Sequence, residues 1–209
     1  VLSFGERSWA GIATRGSRVA AALIAAGVPA STVAAGAWCA AWRAEEAQRG
    51  YEAALEGIGR RTLDYARARG LPVVVVCGSL HVVHDEAINA RIPALVRRNG
   101  ALAVPADCFP TAAAPALERV PWGDARRALR AAVAARQAGT AFPVLISSFG
   151  CGPASFVEHS FGELLRGYPH TILESDGHGG AAGFVTRIQA FLQSVKQHLR
   201  DGQAGGAEG

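Results

Sequence analysis

The feature that most constrains this fold is a series of short apolar runs that alternate with helical segments from residue 71 onwards. The runs are as long as buried strands and end in turns with glycine or proline; they cover residues 73–77, 101–104, 143–147 and 171–174. Helical patterns cover residues 87–98, 124–136, 155–166 and 182–199. Because right-handed crossovers place helices over both faces of a parallel sheet, the alternation predicts a doubly wound α/β fold with a mainly parallel, flavodoxin- or Rossmann-like sheet.

The regions on either side of this alternation have different patterns. Residues 1–70 are predicted to be a helical segment that continues from an upstream region, with one apolar face made of Trp38, Trp42, Tyr51, Leu55, Ile58 and Tyr65. The α/β domain is predicted over residues 71–200, and its last helix should pack Phe184, Ile188, Phe191 and Val195 onto the sheet. Residues 201–209 have no apolar anchor and are predicted to be a disordered tail.

Composition excludes several classes of protein. Half of the residues are hydrophobic and 18% are charged, which indicates a globular chain. The net charge of +4 comes from scattered arginines, so we expect no nucleic-acid partner. The apolar runs are too short for a membrane span, and the four cysteines include no CxxC pair, which favours reduced thiols in the cytoplasm. The GxGxxG fingerprint and the P-loop motif are both absent.

The candidate site is expected where the strands end. Ligands of open doubly wound sheets bind beyond the carboxyl ends of the strands, a rule that selects residues 77–81, 105–108, 148–153 and 175–180. Cys77, Cys108 and Cys151 all lie in these loops, which suggests a metal or cluster bound by thiolates. Cys77 ends a valine run, which favours a place in the core, whereas for Cys108 a site role and a core role are equally compatible with the sequence. Cys151, between Gly150 and Gly152 at a helix start, is the accessible thiol.

Histidines give further candidates. Asp176 and His178 lie in a glycine-rich turn, where they could form an acid, a base or a ligand; the alternative is an Asx turn with His178 solvated. His81, His84 and Asp85 are a weaker group, in which Asp85 could cap a helix from Ala87. Cys151 with His159 or His178 would be a nucleophile and base. His170 and His198 are expected at the surface.

Three segments carry a resemblance to a known family. Residues 148–156 read SFGCGPASF, residues 173–178 read LESDGH and residues 182–192 read AGFVTRIQAFL. Together they resemble the dehydratase-like region of the CoA-substrate-specific enzyme activases, proteins related to 2-hydroxyglutaryl-CoA dehydratase and benzoyl-CoA reductase. The resemblance runs over about residues 71–195 and more faintly over the helical stretch before them.

The resemblance implies an iron–sulfur protein that passes low-potential electrons to a CoA-thioester enzyme, driven by ATP hydrolysis in a separate actin-like ATPase domain. It makes Cys151 a ligand of the cluster, a 4Fe–4S cluster by analogy, with Cys108 and Cys77 as further candidate ligands. Gly150, Gly152, Asp176 and His178 would surround this cofactor. Ala154 and Ala181 stand where relatives have acidic residues. Missing ligands would lie upstream of Val1 or in a partner.

Two other functions stay open at this point. The first is a non-catalytic docking or scaffold domain whose cysteines are structural. The second is a small-molecule hydrolase that uses Cys151 as its nucleophile. No membrane partner is expected in any of these cases.

Overall fold

The structure is a computed structural model that describes residues 9–148, 150–175 and 181–205. The chain divides into two compact units, residues 1–54 and residues 55–209. The first unit contains α1 (Trp9–Ala25) and most of α2 (Ala30–Arg69). Its buried residues include Val33 and Ala37, and Trp38, Trp42 and Tyr51 stay between 44 and 59% exposed.

The second unit is built on four parallel strands. They are β1 (Val73–Cys77), β2 (Leu102–Pro105), β3 (Ala141–Ser148) and β4 (Thr171–Ser175), arranged in the order β2-β1-β3-β4. The helices of this unit after α2 are α3 (Leu80–His84), α4 (Ile92–Arg98), α5 (Gly123–Ala138), α6 (Gly152–Leu164) and α7 (Ala181–Gly205). The predicted doubly wound α/β fold is confirmed. All four predicted strands are present, with ends shifted by at most two residues.

The sheet separates two hydrophobic cores. Val73, Val75 and Cys77 face one core, which includes buried residues of α5 and α6. Val74 and Val76 face the other, which is covered by α3, α4 and α7. Ile188, Phe191 and Val195 of α7 are at most 5% exposed in that second core, so the predicted packing of the last helix is confirmed. A strand buried on both faces needs no polar alternation, which explains the continuous valine run.

Helix α2 contacts the sheet domain through a different face from the predicted one. Ile58 and Tyr65 are both 47% exposed, whereas Leu55, Leu63 and Ala66 pack into the first core. Gly59 lies on the same stripe, since steps of four, four and three residues join these positions. The small residues Gly59 and Ala66 let α2 pack closely against the first core, and the side chains of Ile58 and Tyr65 project outward. The expectation of one apolar face that includes all the large side chains is therefore wrong.

Two boundaries also differ. Residues 86–91 form turns in place of the predicted start of a helix at Ala87, because Ala90 and Arg91 have φ values of 50° and 58°, which a right-handed helix does not allow. The Asp85 carboxylate accepts hydrogen bonds from the N–H groups of Ala87 and Ile88 at 2.8 and 3.2 Å. Asp85 thus caps a turn. At the other end, α7 continues to Gly205, so residues 201–205 are helical rather than disordered, and residues 206–209 lie outside the described part.

Candidate functional site

The crevice of the sheet lies between β1 and β3. From β1 the chain goes to β2 on one side of it, and from β2 it crosses over to β3 on the other side of β1. The loops that follow the neighbouring strands β1 and β3 therefore run in opposite directions, which opens a crevice between them. Gly78, directly after β1, has a φ of +152°, and a Cβ there would lie 2.7 Å from the Ile146 carbonyl oxygen. Only glycine lets the two backbones come this close.

The loop after β3 presents Cys151. Gly150 turns the chain with a φ of +74°, and the Cys151 N–H donates a hydrogen bond to the Ser148 carbonyl at 3.1 Å. Cys151 then occupies the N-cap position of α6 without a side-chain cap, and Pro153 lies in the first turn. The thiol is half-buried. The thiol therefore lies at the N-terminal end of a helix, on the loop that follows a strand.

Exposed apolar side chains lie beside this loop. Phe156 of α6 packs edge-on against Trp122, with their ring centroids 5.5 Å apart, although both side chains stay 40–49% exposed. The nearby Leu80 N–H lies 3.4 Å from the carboxylate of Asp124, in the first turn of α5. Trp122 and Phe156 form an exposed aromatic pair, called here the aromatic rim.

Cys77 and Cys108 are core residues. Cys77 is fully buried, its Sγ faces the Val75 carbonyl oxygen at 3.7 Å, and burial raises the pKa of its thiol far above the ordinary value. Cys108 is 7% exposed; burial, and then the negative charge of Asp107, raise the pKa of its thiol to about 11. Both thiols therefore lie in the core, away from solvent.

The described residues do not bring a set of cluster ligands together. In residues 9–148, 150–175 and 181–205 no three His, Cys, Asp or Glu side chains come together as a metal site would require. Cys108 and Cys151 each follow the carboxyl end of a parallel strand, as expected, but only Cys151 combines this position with an accessible thiol. The structure thus favours one available thiol rather than three.

A second polar pair at this edge was missed by sequence reasoning. The Nε2 atom of His84, at the end of α3, lies 3.0 and 3.2 Å from the two carboxylate oxygens of Asp107, after β2. The Asp107 side chain is 9% exposed and that of His84 is 49% exposed. The strand-end rule selected the loop of Asp107, but no sequence spacing joins it to His84.

Comparison of the chain with protein-family models, with curated proteins and with solved structures finds no match. The candidate site therefore rests on its own geometry. In the described helices, no segment has both the length and the apolar character that a membrane crossing requires.

The remaining candidates divide into three groups. Asp176 and His178 lie outside the described residues. Gly150 and Gly152 flank Cys151 as expected, and His159 is exposed on α6. His170 and His198 are half-buried rather than at the surface, because the His170 ring packs edge-on against Phe161 and the His198 ring against Tyr168.

Proposed function

We propose that the chain is the α/β portion of an activase- or dehydratase-like iron–sulfur protein, which supports ATP-coupled transfer of low-potential electrons to a CoA-thioester enzyme. The family resemblance of residues 148–192 supplies this function, and the doubly wound fold agrees with it. The observation that carries the proposal is the position of Cys151, at an uncapped helix start on the carboxyl edge of the sheet. Four free cysteines are consistent with a reducing cytoplasm.

The contribution of this portion to a cluster is a single thiolate. Cys77 and Cys108 are buried, so we assign them to the core and not to the ligand set. Cys151 would be the ligand, with the others supplied by residues outside the described part or by a partner chain. The aromatic rim of Trp122 and Phe156 supports such a partner contact, since aromatic side chains are enriched at protein interfaces.

A docking domain without a cluster is the second candidate. It is favoured by the burial of two of the three strand-end cysteines, since a purely structural role predicts buried thiols. A Cys151 hydrolase has less support. Within the described residues, no histidine is placed as a hydrogen-bonding base for this thiol.

Anaerobic reconstitution with iron and sulfide separates these functions. The protein that contains this chain should bind iron and develop a broad charge-transfer absorption, and Cys151→Ser should lower the bound iron by at least about half, because serine is a poor ligand for iron. Cys39→Ser is the matched control, since Cys39 is an exposed cysteine inside helix α2 and does not follow a strand, and it should leave the iron content unchanged. Circular dichroism checks that both variants fold.

The other outcomes are equally decisive. Full iron content in Cys151→Ser would remove the thiolate from the proposal. Failure of the unaltered protein to bind iron would overturn the electron-transfer function and leave the docking domain.

A further inference from the structure

Helix α2 carries large apolar side chains in a line along an exposed face. Tyr51, Ile58 and Tyr65 follow one another at intervals of seven residues, and they are 59, 47 and 47% exposed. Single exposed apolar residues are ordinary on a protein surface, but helix residues that are seven apart lie above one another. A continuous line of such side chains is typical of a surface that a second helix covers.

The residues between these positions complete a coiled-coil pattern. Steps of three and four residues run through positions 40, 44, 47, 51, 54, 58, 61 and 65, all of which are exposed; they are called here the heptad face. Positions 40, 44, 47 and 54 are alanines, and Arg61 is the one charged member. The heptad face differs from the face of α2 that packs into the first core, on which Gly59 and Ala66 are buried.

The order of large and small residues on the heptad face is complementary to itself. If a second copy of α2 packs in the antiparallel direction, with the twofold axis midway between positions 51 and 54, every large apolar residue of one copy lies opposite an alanine of the other. The pairs are Tyr51 with Ala54, Ile58 with Ala47, and Tyr65 with Ala40. Large side chains opposite small ones fill an interface evenly, and a twofold interface uses the same patch on both copies.

Arg61 distinguishes between the two directions of pairing. In a parallel pair in register, the two copies of Arg61 would lie opposite each other, and like charges across a helix interface are unfavourable. In the antiparallel pair Arg61 lies opposite Ala44, so its long stem covers apolar surface while its guanidinium stays in water. The heptad face therefore favours an antiparallel partner.

The charges beside the heptad face complement each other in the same arrangement. Arg43 and Asp64 are 21 residues apart, which is three heptads, so they lie on the same side of the face near its two ends. Antiparallel pairing brings Arg43 of one copy next to Asp64 of the other, twice by symmetry. Asp64 contacts Arg67 of its own helix at 3.2 Å, but these side chains are 72 and 79% exposed, and such a pair is weak enough to be exchanged.

We propose that the heptad face is the interface of an antiparallel homodimer, in which α2 of one copy packs against α2 of a second copy of this chain. At 1.5 Å per residue the face is about 38 Å long, and a helix covers a strip about 10 Å wide, so each copy buries on the order of 400 Å². Twice this area is typical of weak, reversible complexes, so the dimer dissociates in the micromolar range. The interface does not include Cys151 and does not depend on a cluster.

Sedimentation equilibrium of the chain, from low micromolar to near-millimolar concentrations, tests this dimer. The unaltered protein should convert reversibly from monomer to dimer as its concentration rises. The matched variants Ala54→Glu and Ala53→Glu change neighbouring exposed alanines of α2, of which only Ala54 belongs to the heptad face. Ala54→Glu should raise the dissociation constant at least about tenfold, because it buries two carboxylates near the twofold axis, and Ala53→Glu should change it less than about twofold. Circular dichroism checks that both variants fold.

Charge reversal tests the direction of pairing. Arg43→Glu and Asp64→Arg should each raise the dissociation constant about fivefold, since each places like charges together twice in the dimer. The double variant restores both pairs with their signs exchanged, and it should bind within about twofold of the unaltered protein. The proposal is overturned if the unaltered protein stays monomeric throughout, if Ala54→Glu and Ala53→Glu weaken the dimer equally, or if the double variant binds no better than the single ones.

Discussion

Gly59 of α2 lies directly against the carbonyl group of Cys108. A Cβ built on Gly59 would be 1.8 Å from the Cys108 carbonyl oxygen and 2.8 Å from its carbonyl carbon. Helix α2 therefore approaches the loop after β2 so closely that only glycine fits at position 59. This contact explains a glycine in the middle of a helix, where it lowers helix propensity by about 1 kcal/mol relative to alanine.

The change Gly59→Ala should accordingly destabilise the protein, by about 1–3 kcal/mol, since the atoms it meets are backbone atoms that cannot turn away. Gly57→Ala is the matched control two residues earlier. Its new Cβ would meet only the Arg61 guanidinium at 3.6 Å, so it should be neutral or stabilising by up to about 1 kcal/mol. Urea denaturation measures both, and equal stability of the two variants would contradict the close contact.

Truncation of Phe191 should affect the second core. Phe191 is 5% exposed on α7, and Phe191→Ala should lower the free energy of unfolding by about 3–5 kcal/mol, the usual cost of removing a buried aromatic ring. Gln193→Ala changes an exposed position of the same helix and should leave stability within about 0.5 kcal/mol. An unchanged melting temperature for Phe191→Ala would show that this face of α7 does not belong to the core.

The buried thiols predict how stability changes in alkali. Burial and the neighbouring Asp107 charge raise the pKa of Cys108 from an ordinary 9.0 to about 11, so the folded state keeps a proton that the unfolded state releases. The contribution to stability is complete below about pH 9 and is lost as the pH rises through about 11. The free energy of unfolding, measured by urea denaturation from pH 8 to pH 11, should therefore fall.

Variants assign this loss to particular groups. Cys108→Ala should make the fall between pH 9 and pH 11 shallower, and the remaining fall should come from Cys77, because burial also raises the pKa of its thiol. Cys39→Ala, at an exposed position, should leave the slope unchanged. Tyr168 adds a loss at higher pH, because burial raises the pKa of its hydroxyl to about 12 although the Arg136 charge lowers it. The same slope in the Cys108→Ala variant and in the unaltered protein would rule out the thiol as its source.

Much of the fold could be predicted because the sheet is simple. A parallel strand buried on both faces leaves a run of apolar residues, and β1 was located to the residue from its valines. The packing face of α2 could not be predicted in the same way. Periodicity identifies large apolar side chains such as Ile58 and Tyr65, but it does not show that a stripe of small residues through Gly59 and Ala66 faces the core.

The site was predictable only in part, and for a related reason. The strand-end rule selects loops, so Cys151 and the loop of Asp107 were both located from the order of the strands. The rule does not report which way a side chain points. Cys77 and Cys108 lie in the selected loops but turn into the core, and the contact of His84 with Asp107 depends on the short helix α3.

The four valines of β1 also affect how the register of this strand is specified. Val73, Val74, Val75 and Val76 are identical, so shifting the strand by one residue would leave three of the four positions occupied by the same side chain. The pairing of β1 with β2 and β3 is then specified by what flanks the run. Pro72 accepts the hydrogen bond of the Leu102 N–H at one end, and at the other Gly78 must face the Ile146 carbonyl, where no side chain fits. A shift of β1 by one residue would place a side chain against the Ile146 carbonyl, so Gly78 disfavours the shifted registers that four identical valines would tolerate. The strand therefore has a single register although its side chains are interchangeable.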